Sequence, residues 1–213
     1  MFTMSTSEKA KPAGGYHHGN LREALVAEGL TLLDESGSAD LSLRELARQV
    51  GVSANAVYRH FENKEALLVA MAAEGFRRLA AVQLQAVLQR EHPAEGFLES
   101  GRAYVNFARQ HPALFRLMFG RFSAANRSEE MESAGQLAYE GLRHGVAATL
   151  HLQPDSPQVV TAAMHAWSIV HGLSHLILDG QFDAITDDID GMIDTVLRQT
   201  ADFARPLLKP EKG

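Results

Sequence analysis

Four helix starts crowd into residues 20–64, and their spacing leaves room for three short helices and the head of a longer one. Ser42-Leu43-Arg44-Glu45 is a strict capping box, in which the serine and the glutamate satisfy the backbone N–H groups that a helix start leaves over. Asn20, with Glu23 three residues on, is a close relative of it. Ser53 and Asn63 are residue types that cap helices with their side-chain oxygens. Gly37 closes the first helix. Gly51 falls between the second and third, where a tight inter-helix turn calls for a positive φ. Leu21, Ala24, Leu25, Leu32 and Leu33 form the apolar stripe of the first helix. The second runs from Ser42 through Gln49, and the fourth from Asn63 well past Gly75.

Helix is written over the rest as well. Strand-like alternation is missing, and Ala, Leu, Glu, Arg and Gln are plentiful, so the fold class expected is all-α. Further helices are expected over 94–110, 112–121, 128–151, 157–179 and 187–205, with Pro93, Pro112, Pro154 and Pro157 at the seams. "GRFSAANRSEE" reads as a loop. Residues 1–15 read as a flexible tail, 16–80 as a helix-turn-helix domain and 81–213 as a helical ligand-binding and dimerisation domain. The absence of cysteine excludes disulfides and thiolate metal sites, and fits a reducing, cytoplasmic setting. No apolar run approaches the roughly 18 residues of a membrane span, so no membrane partner is expected. The net charge of −6 argues in bulk against nucleic acid, but it is unevenly spread. Residues 1–80 carry 9 Lys/Arg against 10 Asp/Glu, whereas residues 81–213 carry 11 against 16.

The second and third helices have helix-turn-helix spacing, with Leu46, Val50, Val52 and Val57 as apolar pins and Ala47 at the crossing. The third has a small nose of Ser53, Ala54 and Asn55, suited to a major groove: Asn55 can read a base edge and an alanine can lie on a thymine methyl. Arg44 can reach a guanine with its bidentate fork. Tyr58, Arg59, His60 and Lys64 fall where the sugar-phosphate backbone would pass, and contacts there set register without reading sequence. His17 and His18 stand where they can flank a phosphate or enter the minor groove. On the residues alone, two short amphipathic helices with a glycine turn also fit an ordinary helical protein, with Tyr58 half-buried and Lys64 solvated.

The stretch "LSLRELARQVGVSANAVYRHFENKEALLVAM" resembles the N-terminal DNA-binding domain of the TetR family of transcriptional regulators. The matching elements are Leu46, Ala47, Gly51 and Val52; Tyr58, His60 and Phe61; and Asn63, Lys64 and Leu67. "YHHGNLREALV" is similar to the lead-in of one branch of that family. "HPALFRLMFG" and "AWSIVHGLSHL" look like its C-terminal domain, with the Trp-x-x-x-His-Gly element at Trp167, His171 and Gly172. The resemblance implies a homodimeric repressor, a three-helix DNA-binding domain on an all-α ligand-binding and dimerisation domain, and a double-stranded DNA operator. It implies base reading by Arg44 and Ser53–Asn55 and phosphate contact by Tyr58, His60 and Lys64.

In the C-terminal part, Val159, Ala163, Ala166, Val170, Leu173 and Ile177 recur at helical spacing, as do Ile189, Met192, Ile193, Val196, Leu197 and Ala204. Paired with symmetry mates these stripes would make a four-helix dimer interface; alternatively both face their own core. Aromatics and methionines cluster between 97 and 167, either as core or as the lining of a small-molecule effector site. Tyr104, Phe107, Phe115, Met118, Tyr139, His165, Trp167 and His171 are the candidate lining residues. His171 and His175, four apart, have the spacing of a shared metal, so a metal-responsive regulator is an alternative; a buried, hydrogen-bonded His171 is the other reading. No cofactor is expected. A helical enzyme is disfavoured, since no phosphate loop, cysteine nucleophile or triad spacing is present.

Overall fold

The computed structural model describes residues 21–123 and 128–203, with backbone alone over 201–203. The expected tail, His17, His18, the Asn20 cap and Ala204 lie outside the described residues. Among the described residues the chain forms helices and no strand. They are α1 (Leu21–Ser36), α2 (Leu43–Val50), α3 (Ala54–Tyr58), α4 (Lys64–Leu88), α5 (Pro93–Gln110), α6 (Pro112–Met118), α7 (Glu129–Leu150), α8 (Pro157–Leu178) and α9 (Ile189–Phe203).

The caps act as their residue types require. The Ser42 hydroxyl accepts from Glu45 N at 3.5 Å, Ser53 from Ala56 N at 3.3 Å, and Asn63 Oδ1 from Ala66 N at 2.9 Å. Gly51 takes φ 78°, and the turn closes with Val52 N donating to Ala47 O at 2.9 Å. Pro93, Pro112 and Pro157 each open a helix, where the missing N–H costs nothing. Most of the expected C-terminal spans hold to within one residue at each end, and two differ by more. α6 stops at Met118 instead of 121, as Gly120 N bonds back to Leu117 O at 3.1 Å. α9 begins at Ile189 instead of 187, because Asp188 accepts from Gly191 N at 2.8 Å.

α4 is the central element, packing against α1, α5, α6 and α7. Its buried face is small where neighbours press closest: Ala70, Ala72, Ala73 and Gly75 are all buried. A Cβ at Gly75 would lie 2.7 Å from Met118 Sδ, so glycine lets α6 seat on α4. This is why the helix continues through Gly75. Position 80, the expected domain boundary, therefore falls inside a continuous helix. One apolar core runs from Leu25 and Leu46 through Met71 and Phe115 to Leu197, and a smaller cluster joins α7 and α8 around Val146 and Val159.

The two C-terminal stripes face inward. Val159, Ala163, Ala166, Val170 and Leu173 are buried within the same chain, as are Ile193 and Leu197. Ile177, Ile189, Met192 and Val196 pack partly buried against the same core. Of the two alternatives for these stripes, a dimer surface or their own core, the structure has them in their own core: they dock α8 onto α5 and α7, and α9 onto α5.

Gly75→Val is expected to destabilise by about 1–3 kcal/mol through overpacking against Met118 and Leu114. Gly135→Ala, whose Cβ meets nothing within 4 Å, should stabilise by up to about 1 kcal/mol through helix propensity. Urea denaturation of both variants checks the opposite signs.

Candidate nucleic-acid interface and ligand cavity

Leu46 and Val57 are fully buried between α1, α2 and α3, and this pinning turns the other sides of α2 and α3 outward. Arg44, Ser53, Asn55, Tyr58, Arg59 and His60 are exposed, and Ala54 and Lys64 are half-buried. Tyr58 leaves 47% of its surface in solvent, a large aromatic with no core role. The Ser53 hydroxyl is engaged as the α3 cap, so its first task is to hold the nose of that helix. Lys64 Nζ lies 2.6 Å from Asp40 Oδ1, and the ammonium holds the Asp40 carboxyl below its usual range. Sequence reading missed Asp40, which stands 24 positions away with no local signal.

Polar links tie this head to the rest of the chain. Glu130, at the start of α7, accepts from Arg22 of α1 at 2.5 Å and from Arg77 of α4 at 3.1 Å. Burial works against the Glu130 charge, but the two guanidiniums outweigh it and hold the carboxyl below its usual range. Glu65, next to Lys64, accepts from both the backbone N–H and the hydroxyl of Ser123. The Arg22 guanidinium also lies 5.4 Å from the centre of the Phe61 ring.

A cavity of about 280 Å³ lies among α4, α5, α7, α8 and α9. Of the candidate lining residues, Tyr104, Tyr139 and Trp167 border it. Phe107, Phe115 and Met118 do not: they are buried in the core, where Phe115 packs edge-on to Tyr104 with centroids 5.6 Å apart. His165 is exposed on α8 and His171 stands behind Tyr104. The cavity wall also includes Phe76, Gln83, Phe97, Ser100 and Thr200. Gln83 and Ser100 gave no sequence signal, because a single polar residue on an otherwise apolar helix face looks like an ordinary surface position.

A short polar chain backs the cavity. Trp167 Nε1 donates to the Tyr104 hydroxyl at 3.4 Å, and that hydroxyl lies 2.9 Å from His171 Nδ1. The indole N–H can only donate, so the tyrosine oxygen accepts from it and sends its own proton to His171. This requires neutral His171 with the proton on Nε2. Burial, with the His175 ring 4.7 Å away, holds the His171 imidazole below the usual histidine range, which fits. Burial likewise pushes the Tyr104 phenol well above its ordinary value. Among the described residues no group of three or more His, Cys, Asp or Glu converges. His171 and His175 instead pack on Phe115 and Phe119.

Comparison with known proteins places both parts. Residues 25–71 match the family described as bacterial regulatory proteins, tetR family, and residues 97–200 match the tetracyclin repressor-like C-terminal domain. An uncharacterised HTH-type transcriptional regulator of Mycobacterium tuberculosis is 30% identical over 191 residues, covering 86% of this chain and 82% of that one. The chain belongs to the TetR family of transcriptional regulators. A solved structure of a protein with unknown function from Rhodococcus sp. RHA1 matches with a TM-score of 0.73 at 33% identity, covering 92% of this chain and all of that one (100%). The tetracycline repressor class C of Escherichia coli is 47% identical over 51 residues, 24% of this chain and 23% of that one. As a TetR-family member the chain is a DNA-binding transcription regulator with a ligand-binding domain, and not an enzyme. No described helix is long and apolar enough to cross a membrane.

Tyr104→Phe removes the oxygen that joins Trp167 to His171. It is expected to cost about 1–3 kcal/mol, since His171 Nδ1 loses its partner in a half-buried site. It should also shift the emission of Trp167, the single tryptophan of the chain. Thermal unfolding and fluorescence spectra measure both.

Proposed function

We propose that this TetR-family chain is a homodimeric repressor, released from a palindromic operator when a small effector fills the interhelical cavity. The observation that carries the reading is the outward face of α2 and α3. Its polar, aromatic and cationic residues are held in solvent by fully buried pins, with Lys64 as a charge that Asp40 neutralises in the free protein. Within this reading Arg44, Asn55 and the Ser53–Ala54 nose contact bases, while Tyr58, Arg59, His60 and Lys64 contact phosphates. Residues 16–80 act as the reading head and 81–213 as the sensor and dimerisation part.

Selection of bound duplexes from random DNA is the direct test, with a two-fold symmetric consensus as the expected product. On that operator Lys64→Ala should lower the salt slope by roughly one unit per half-site, and Tyr58→Phe should weaken all sequences alike. Asp40→Asn, which releases Lys64, should tighten binding in low salt. Arg44→Ala should relax preference at one base pair per half-site, at about 1–3 kcal/mol. An even loss on every sequence would make Arg44 a phosphate ligand.

In this proposal the dimer contact lies on the other side of α8. Met164, Ser168, Gly172 and Leu176 follow each other every four residues; Met164 and Leu176 are 44% and 47% exposed, and a Cβ at Gly172 would meet nothing. Such a row, apolar at its ends and small in its middle, suits close helix–helix packing across a two-fold axis. Two linked heads about one DNA turn apart, roughly 34 Å, then read a palindrome. Gly172→Arg should yield a folded monomer by sedimentation and lose operator affinity. A variant that stays dimeric rules this row out of the interface.

A further inference from the structure

We infer that the cavity takes an uncharged, mostly apolar ring compound carrying one hydrogen-bond-accepting oxygen, which the Trp167 N–H recognises. This rests on the effector reading above and specifies its ligand.

Volume sets the size. About 280 Å³ equals nine or so waters at ~30 Å³ each, room for a bicyclic molecule of roughly a dozen heavy atoms. Charge sets the class. Among the described residues the lining includes no Asp, Glu, Lys, Arg or His. An ionised ligand would leave water without gaining a counter-charge, and an ion buried in apolar surroundings is strongly disfavoured. His171 does not supply the missing charge, since its Nδ1 is occupied by Tyr104 and burial keeps the ring neutral.

The polar handle follows from the hydrogen-bond chain. Trp167 Nε1 reaches the Tyr104 oxygen only at 3.4 Å, a long bond for an N–H donor. A carbonyl or ether oxygen placed in the cavity can draw that proton without breaking the shorter Tyr104–His171 contact. Gln83 and Ser100, joined at 3.2 Å, supply a second polar spot one turn of α5 from Tyr104. The remaining wall is aromatic and aliphatic, including Phe76, Phe97 and Tyr139, surfaces that favour a flat apolar body. Gly135 borders the cavity and leaves space where a side chain would stand.

The test uses the full chain and four matched probes in calorimetry: 2-acetylnaphthalene, 2-ethylnaphthalene, 2-naphthoate and 2-naphthylmethylammonium. The ketone should bind saturably, once per chain. The carboxylate and the ammonium should bind at least tenfold more weakly, and the ethyl compound several-fold more weakly. Trp167→Phe should bring the ketone down to the level of the ethyl compound. Gly135→Leu, which fills the space, should abolish binding while unfolding at the same or a higher temperature than the parent. The inference is overturned if either ion binds as well as the ketone, if no probe saturates, or if folded Gly135→Leu binds the ketone unchanged. Operator affinity is read separately, with the ketone at saturation. Selective binding with unchanged operator affinity would leave the ligand class standing and remove the effector role from the proposed function.

Discussion

The close seating of α6 on α4 is the contact on which the other arrangements depend. A 25-residue helix that touches α1, α5, α6 and α7 needs a surface without bulk where neighbours approach. Ala70, Ala72, Ala73 and Gly75 supply it, and Met118 fills the notch that Gly75 leaves. Because interiors are packed close to crystal density, a single added carbon there has no empty space to enter. The same helix begins at Lys64, beside the outward face of α3, and farther along lends Phe76, Leu79 and Gln83 to the cavity wall. Head and cavity are thus parts of one rigid rod and its neighbours.

α7 makes a second connection. Its first turn holds Glu130, clasped by Arg22 of α1 and Arg77 of α4, and its middle holds Gly135, Ala138 and Tyr139 of the cavity wall. A ligand that displaces this helix by a fraction of an ångström would act on the carboxylate that bridges two elements of the head. Packed contacts of this kind tend to switch between arrangements rather than bend, so small shifts carry far. Only a ligand that favours one arrangement over the other can use such a link.

Much of the fold was legible because its signals are local. Ser42, Ser53, Asn63 and Gly51 each act within a few residues of themselves, so helix starts and the turn could be read from neighbouring letters. The outward positions of Arg44, Asn55 and Tyr58 followed from knowing which residues are pins. The C-terminal stripes were ambiguous for a physical reason: an apolar repeat states that one helix face is buried but not what buries it. Val170 and Leu197 look the same whether a second copy or α5 covers them. The aromatic cluster was ambiguous in the same way. Phe115 and Tyr139 differ little as letters, yet one fills the core and the other borders a void.

The sequence by itself determined an all-α chain, its capped and proline-opened helices, a helix-turn-helix head and the family to which it belongs. These rest on backbone hydrogen bonding and periodicity, which are properties of short stretches. The tertiary structure alone decided the pairings across long separations: Lys64 with Asp40, Arg22 with Glu130, Tyr104 with His171. It also decided which aromatics leave a void between them and which face of α8 remains uncovered. Such outcomes depend on how several helices share a finite volume, and no single stretch of sequence carries that information.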